Sequence, residues 1–216
     1  MKKAATVYFS FLLLVSLSAF NCSYNPANLD SAKKEVQKYY EEGRYDKEIT
    51  EVVNKAINEL ESLKPTPNAT AVFDIDETVL SNYDHIKSIG YGFYVTAWND
   101  WMLSAKAKAI PQTKTLYDKI VEKGIKVVFI TGRGYKFYDA TYKNLTAVGF
   151  SRIDTLITRS EKENHISALE FKTQKRKELV QKGYNIVINV GDQMSDLDGG
   201  NSGIKVKLPD LLYYIQ

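Results

Sequence analysis

Asp74 and Asp76 stand two residues apart at the end of an apolar run, in Ala71-Val72-Phe73-Asp74-Ile75-Asp76-Glu77-Thr78. Val72, Phe73 and Ile75 suit a buried strand. Charged side chains are not left unpaired inside such a strand, so the two carboxylates mark where it leaves the sheet. Further polar groups stand near other predicted elements. Thr131 ends the run Lys126-Val127-Val128-Phe129-Ile130, Lys172 stands at the mouth of a basic helix, and Asp192 and Asp196 lie in Gly191-Asp192-Gln193-Met194-Ser195-Asp196. In open parallel sheets, sites form beyond the C-terminal ends of the strands, so Asp74, Thr131 and Asp192 are expected on one edge. Each has a plain explanation when taken alone. Asp74 and Asp76 could be an acidic turn, Thr131 a helix cap, Lys172 part of a solvated charge run with Lys175, Arg176 and Lys177, and Asp192 and Asp196 a turn and a cap. Their joint placement after successive strands is what points to a site.

The elements that must position these groups follow from pattern and punctuation. A helical stretch opens at Asp30 or Ser31, with Ala32, Val36 and Tyr39-Tyr40 at helical spacing, and Gly43 interrupts it. A second runs from Tyr45 to Leu63, with Ile49, Val52-Val53, Ala56-Ile57 and Leu60 on one face. Pro65 and Pro67 stop it before the Asp74 strand. A helix starts at Pro111 and ends at Gly124. Another carries Tyr138, Tyr142, Leu145 and Val148 on one face, and a basic one covers Thr173 to Lys182 before Gly183. Further strands are expected at Lys126–Thr131, Thr155–Thr158, Ile186–Val190 and Ile204–Leu208. Such alternation implies right-handed crossovers and an α/β fold: a Rossmann-like, mainly parallel sheet with helices on both faces and an N-terminal helical extension.

Together the motifs resemble the haloacid dehalogenase superfamily, and most closely its acid phosphatase branch, which includes bacterial lipoprotein acid phosphatases and plant vegetative storage proteins. The residues that carry the resemblance are Phe73-Asp74-Ile75-Asp76-Glu77-Thr78-Val79-Leu80-Ser81-Asn82, Ile130-Thr131-Gly132-Arg133, Phe171-Lys172-Thr173-Gln174-Lys175-Arg176 and Gly191-Asp192-Gln193-Met194-Ser195-Asp196-Leu197. Lys207-Leu208-Pro209 and Tyr213-Tyr214-Ile215 match the plant tail. The resemblance runs from about Thr70 to the C-terminus and implies a phosphatase domain over 70–216. It implies that Asp74 is the nucleophile, forming an aspartyl phosphate, and that Asp76 is the general acid/base. That acid argues against a dehalogenase, because a halide leaves without a proton. It implies Mg²⁺ held by Asp74, Asp192 and the backbone carbonyl of Asp76. Thr131, the Gly132 amide and Lys172 would hold the phosphate, and Asp196 would bind the metal through water or orient Lys172. Ser81 and Asn82 would support the turn, with Glu77 behind it. A mildly acidic optimum is expected.

The insert at about 81–110 looks like a small helical cap. Its Tyr91, Tyr94, Trp98 and Trp101 could stack on a nucleobase or an aromatic phosphoester, though rings at helical spacing are more often a cap's own core. The expected substrate is a small phosphomonoester. Two rivals stand beside the hydrolase. One is a non-catalytic surface or storage protein, although such relatives lack the nucleophile that Asp74 supplies here. The other is a phosphotransferase, which these motifs do not separate from a hydrolase.

The N-terminus reads as an address. Lys2 and Lys3 precede an apolar run from Ala4 to Phe20, the form of an export signal over 1–21 and nearly long enough to be an anchor. The single cysteine, Cys22, sits where the run stops, as the acylated cysteine of a bacterial lipoprotein would. Ser18-Ala19-Phe20-Asn21 makes this a relaxed lipobox, and ordinary cleavage near Ala19 is the alternative. Residues 22–69 then hold a tether and the two N-terminal helices. The expected location is the bacterial cell envelope, exported and lipid-anchored to a membrane.

Composition limits the other classes. The 216 residues are 44% hydrophobic and 25% charged, ordinary for one globular domain with an extension. Without Lys2 and Lys3, 27 basic side chains face 26 acidic ones, which leaves no nucleic-acid footprint. One cysteine excludes an internal disulfide. His85 and His165 are the only histidines, no His/Cys cluster suits zinc, and neither histidine has the arginine company of a histidine phosphatase.

Overall fold

The computed structural model describes residues 28–64 and 66–215. The leader, Cys22 and most of the tether lie outside them. Among the described residues no helix is long and apolar enough to cross a membrane.

Helix α1 (Leu29–Glu41) begins one to two residues earlier than its apolar pattern suggests, because the Asn28 carboxamide accepts from the Asp30 and Ser31 amides. Gly43 takes a left-handed φ of 84° and turns the chain into α2 (Arg44–Glu61), whose Ile49, Val53, Ala56 and Leu60 are buried. Strand β1 (Ala69–Phe73) follows. A two-residue antiparallel ribbon, β2 (Leu80–Ser81) with β3 (Lys108–Ala109), brackets the insert that holds α3 (Tyr83–Ser88) and α4 (Val95–Ser104). The chain continues through α5 (Pro111–Glu122), β4 (Lys126–Gly134), α6 (Tyr138–Ala147), β5 (Thr155–Arg159), α7 (Ala168–Gln181), β6 (Asn185–Gly191), the short α8 (Met194–Leu197) and β7 (Ile204–Lys207).

The main sheet has the order β5-β4-β1-β6-β7, with every neighbouring pair parallel. The chain builds outward from β1 to β5 and then returns to β6 on the other side of β1. Asp74 and Asp192, which directly follow β1 and β6, therefore flank the point where the winding reverses, where ligands bind in such sheets.

Side-chain alternation along the strands separates two cores. Ala71, Phe73, Val127, Phe129, Ile188 and Val190 face one side with Leu60, Leu116, Ile120 and Leu145. Val72, Val128, Ile130 and Ile186 face the other with Phe171 and Leu179 of α7. Ile186 and Ile188 point to opposite sides because β6 slips register against β1, Thr70 pairing with Ile186 and Ala71 with Ile188. Gly203 lies against that slip: a Cβ there would come within 2.2 Å of the Val187 backbone.

Two helices differ from their patterns. Helix α7 starts at Ala168, not Thr173, because Ser167 caps it by accepting from the Glu170 amide. Lys172 is thus inside the helix and buried, not at its mouth. On α6 the buried face is Thr141, Asn144 and Leu145, while Tyr142 is exposed. Polar residues occupy that face because they are satisfied there: Arg133 donates to Thr141 Oγ1 at 3.1 Å, and Asn144 bonds both the N–H and the carbonyl of Ala107.

Candidate active site

The turn after β1 is held by the backbone. The Asp74 amide donates to the Val190 carbonyl at 2.9 Å, tying the first carboxylate to β6, and the Thr78, Val79 and Leu80 amides all donate to the Ile75 carbonyl. Glu77 adopts a left-handed φ of 53°, a strained conformation for a residue with a Cβ. Its carboxylate turns back to accept from the Asn82 amide at 2.6 Å and from Asn82 Nδ2 at 2.8 Å. Asn82 Nδ2 also donates to Asp76 Oδ1 at 2.8 Å. Asn82 therefore supports the turn, and Glu77 stands behind the two aspartates.

Lys172 reaches in from α7. Its Nζ lies 2.5 Å from Asp74 Oδ1 and also pairs with Asp196 Oδ1. Asp192 exchanges bonds with Thr78: the hydroxyl donates to Asp192 Oδ1 at 3.0 Å, and the Asp192 amide donates to the same hydroxyl at 3.1 Å. Asp196 Oδ2 accepts from the Gln193 amide at 2.9 Å. The loop is braced by Arg176, fully buried, which donates to the carbonyls of Gly200, Asp196 and Asp198, and by Asn189, which donates to the Asp196 carbonyl at 2.8 Å. A glycine is required at 191, since a Cβ there would come within 2.4 Å of the Asp196 side chain.

One carboxylate oxygen from each of Asp74, Asp192 and Asp196 lies within 4.8 Å of the others, and all three residues are buried. This all-oxygen set fits a hard divalent cation. The charge balance asks for one, because a single ammonium faces three carboxylates. Burial pushes the Asp74 carboxyl up to about 7; Lys172 pulls it down, and Asp196 and Asp76 push it up again. Burial, then Asp74 and Asp196, raise Asp192 well above the carboxylate range. Burial acts to lower Lys172, but Asp74 and Asp196 outweigh it and hold the ammonium charged.

Asp76 sits on the β4 side. Burial acts to raise its pKa, but the Arg133 charge and hydrogen bonds, with that of Asn82, bring it below the usual carboxylate value. Burial followed by the Asp76 charge pushes neighbouring Glu77 up to about 8. Phe73 pairs with Phe129, so Thr131 stands two residues beyond that level. It is buried, and its hydroxyl accepts from the Arg133 amide at 3.1 Å. Gly132 is exposed, with open space where a Cβ would be.

Asp74, Lys172, Asp192 and Asp196 thus converge. The four aromatics of the insert do not share one role. Trp101 donates its indole N–H to Asn82 Oδ1 at 2.7 Å and lies flat on His85, with ring centroids 5.0 Å apart at 4°. Trp98 is half-buried with the Phe93 ring tilted against it, 6.3 Å between centroids at 49°. Tyr91 is half-buried and Tyr94 is exposed.

Arg133, Thr78 and Gln193 lay inside the sequence motifs without an assigned role, and Asp210 was not singled out. A signal existed for Arg133 alone: it follows Thr131 at strand spacing, so both side chains point to the same side.

Residues 14–216 match the family described as HAD superfamily, subfamily IIIB (acid phosphatase). The chain is 38% identical over 189 residues to the Stem 28 kDa glycoprotein of Glycine max, covering 84% of this chain and 74% of that one. It is 34% identical over 148 residues to Acid phosphatase 1 of Solanum lycopersicum, covering 67% of this chain and 58% of that one. The fold matches the Class C acid phosphatase from Bacillus anthracis with a TM-score of 0.71 and 25% identity, over 86% of both chains. The carboxylate-rich edge of this sheet and these likenesses place the chain in subfamily IIIB of the HAD superfamily, the acid phosphatases, whose reaction is phosphomonoester hydrolysis.

Proposed function

We propose that this chain is a Mg²⁺-dependent acid phosphatase that hydrolyses small phosphomonoesters in two steps through Asp74. The observation that carries the reading is the Asp74 carboxylate, held at the end of β1 by Lys172, 2.5 Å away, with Asp192 and Asp196 in reach of one cation.

In the first step an Asp74 oxygen forms a bond to phosphorus as the ester P–O bond breaks, and a proton from Asp76 goes to the leaving oxygen. In the second step Asp76 takes a proton from water as the water oxygen attacks phosphorus. The Asp74 carboxylate then leaves and inorganic phosphate is released. Without ligand, Arg133 keeps Asp76 ionised; a phosphate dianion brought beside it opposes that effect and restores proton affinity. Lys172, Thr131 and the Gly132 amide orient the phosphate oxygens and offset their charge. Asp74, Asp192 and the Asp76 carbonyl would hold the cation, with Asp196 fixing Lys172; bound there, Mg²⁺ neutralises the charge between phosphate and carboxylates.

Hydrolysis of an aryl phosphate with and without EDTA, wild type beside Asp74→Asn, tests the reading. Metal-dependent release lost in a folded Asp74→Asn chain supports it, and retained turnover sinks the nucleophile assignment. Adding glycerol or a nucleoside separates hydrolase from phosphotransferase by the product formed. The intact Asp74–Lys172 pair disfavours a storage-only role. The same proposal places catalysis in residues 70–216, with 81–110 as the cap, and tethers the exported chain to a membrane through acylated Cys22. Fatty-acid labelling that persists in Cys22→Ala would refute that anchor.

A further inference from the structure

The chain does not end at β7. Leu208 donates to the Gly191 carbonyl at 2.9 Å, and the segment after it folds back over the end of β6. Four contacts converge there on one side chain, Gln193. Its Nε2 donates to Asp192 Oδ2 at 2.7 Å and to Asp210 Oδ2 at 3.1 Å. The Tyr213 carbonyl lies 3.4 Å from the same nitrogen. Its Oε1 accepts from the Ile215 amide at 3.1 Å. That backbone donor sets which end of the amide is oxygen, so the nitrogen must face the two carboxylates.

Asp192 is therefore gripped on both oxygens, Oδ1 by Thr78 and Oδ2 by Gln193. Thr78 belongs to the turn after β1, but Gln193 is held from the C-terminal segment. Asp210 is itself oriented: its Oδ1 accepts from Tyr40 Oη at 3.0 Å and from the Leu212 amide at 2.9 Å. The segment and the end of β6 together line an open cavity of about 340 Å³ that includes Asp192, Gln193, Lys207, Asp210 and Tyr213.

We propose that Asp210, acting through Gln193, is a positioning residue that fixes the Asp192 carboxylate for a divalent cation. The segment after β7 is then a working part of the site. The inference rests on the reading of Asp192 as a metal ligand. Partners that orient a ligand from behind commonly change metal affinity about 10- to 100-fold when removed.

Isothermal titration of Mg²⁺ into the full chain, without substrate, tests this. Asp210→Ala and Gln193→Leu should each weaken binding about tenfold or more, and the double variant should be no weaker than the worse single one. Asp210→Asn has a single oxygen, which the Leu212 amide claims, so its NH2 faces Gln193 Nε2 and the affinity should stay about as low as in Asp210→Ala. Tyr40→Phe removes one of the two bonds on the other Asp210 oxygen and leaves the Leu212 amide in place, so it should cost less Mg²⁺ affinity than Asp210→Ala. Wild-type affinity in Asp210→Ala or additive losses in the double variant would each overturn the proposal. Absence of Mg²⁺ binding in the wild type would instead overturn the metal assignment itself.

Discussion

Arg133 grips Asp76 through a fork of hydrogen bonds, Nη2 to Oδ1 at 2.6 Å and Nε to Oδ2 at 3.0 Å. The arginine is buried, and its remaining arm bonds Thr141. The pair joins the end of β4 to the turn after β1. Arg133→Lys keeps the charge but loses the fork, so turnover should fall about tenfold with the fold intact. Arg133→Ala leaves the partly buried Asp76 carboxylate with only its Asn82 bond and should cost up to about 3 kcal/mol of stability. Steady-state kinetics and thermal denaturation read the two effects.

The stability of the metal-free chain should fall from mildly acidic to neutral pH. The ordinary carboxyl values of 3.8 for Asp74 and 4.5 for Glu77 rise on folding to about 7 and about 8. Between those limits the folded chain keeps protons that the unfolded chain has released. Their contribution is complete below about pH 4 and is lost as the pH climbs through 7 and 8. The melting temperature should drop by on the order of 5 °C across that interval. Added Mg²⁺ should reverse the drop at neutral pH, because a cation replaces the lost protons. A flat profile would remove the case for crowded carboxylates.

Lys172→Met removes the ammonium that two carboxylates share. Aryl phosphate turnover should fall by about 10³-fold or more, in line with the loss of a preorganised charge. The variant should melt below wild type without metal at neutral pH, with the gap narrowing in Mg²⁺. Circular dichroism melts beside single-turnover kinetics test both parts.

Two glycines at strand ends should behave oppositely. At Gly191 a Cβ would collide with the Asp196 side chain at 2.4 Å, whereas at Gly132 it would meet open space. Gly191→Ala should destabilise the chain by about 1–3 kcal/mol, and Gly132→Ala by less than about 0.5 kcal/mol. Denaturant titration measures the difference.

Trp101 connects the insert between β2 and β3 to Asp76 through Asn82. Trp101→Phe keeps a ring against His85 and loses the N–H donor. It should lower kcat several-fold with little change in KM. Tyr94→Ala, at an exposed ring of the insert, should act on KM if that ring meets the substrate. Equal effects of both variants on KM would show that Trp101 serves binding and not positioning.

Much of the fold was legible locally. Apolar runs ended in Asp74, Thr131 and Gly191-Asp192; β1 and β6 end there, whereas β4 continues past Thr131 to Gly134, where it still pairs with Arg159 of β5. A charge at the end of an apolar run is a local signal, because burial without a partner is unfavourable wherever it occurs. The helix ends were less legible. Ser167 and Asn28 are ordinary capping residues, but they precede stretches whose apolar pattern is weak, so α7 and α1 begin before periodicity shows them.

The sequence alone therefore determined the parallel α/β sheet and the strands that end on the site, and its motifs, through their resemblance to a known family, singled out Asp74, Lys172, Asp192 and Asp196. Alternation and strand-end chemistry are written residue by residue. Only the tertiary structure decided how those groups are held. Arg133 pairs with Asp76 across 57 positions, Tyr40 with Asp210 across 170, and Gln193 joins Asp192 to the returning C-terminal segment. No local period encodes such bonds. They depend on where the chain crosses the sheet and on side chains whose partners arrive only when distant strands and helices pack together.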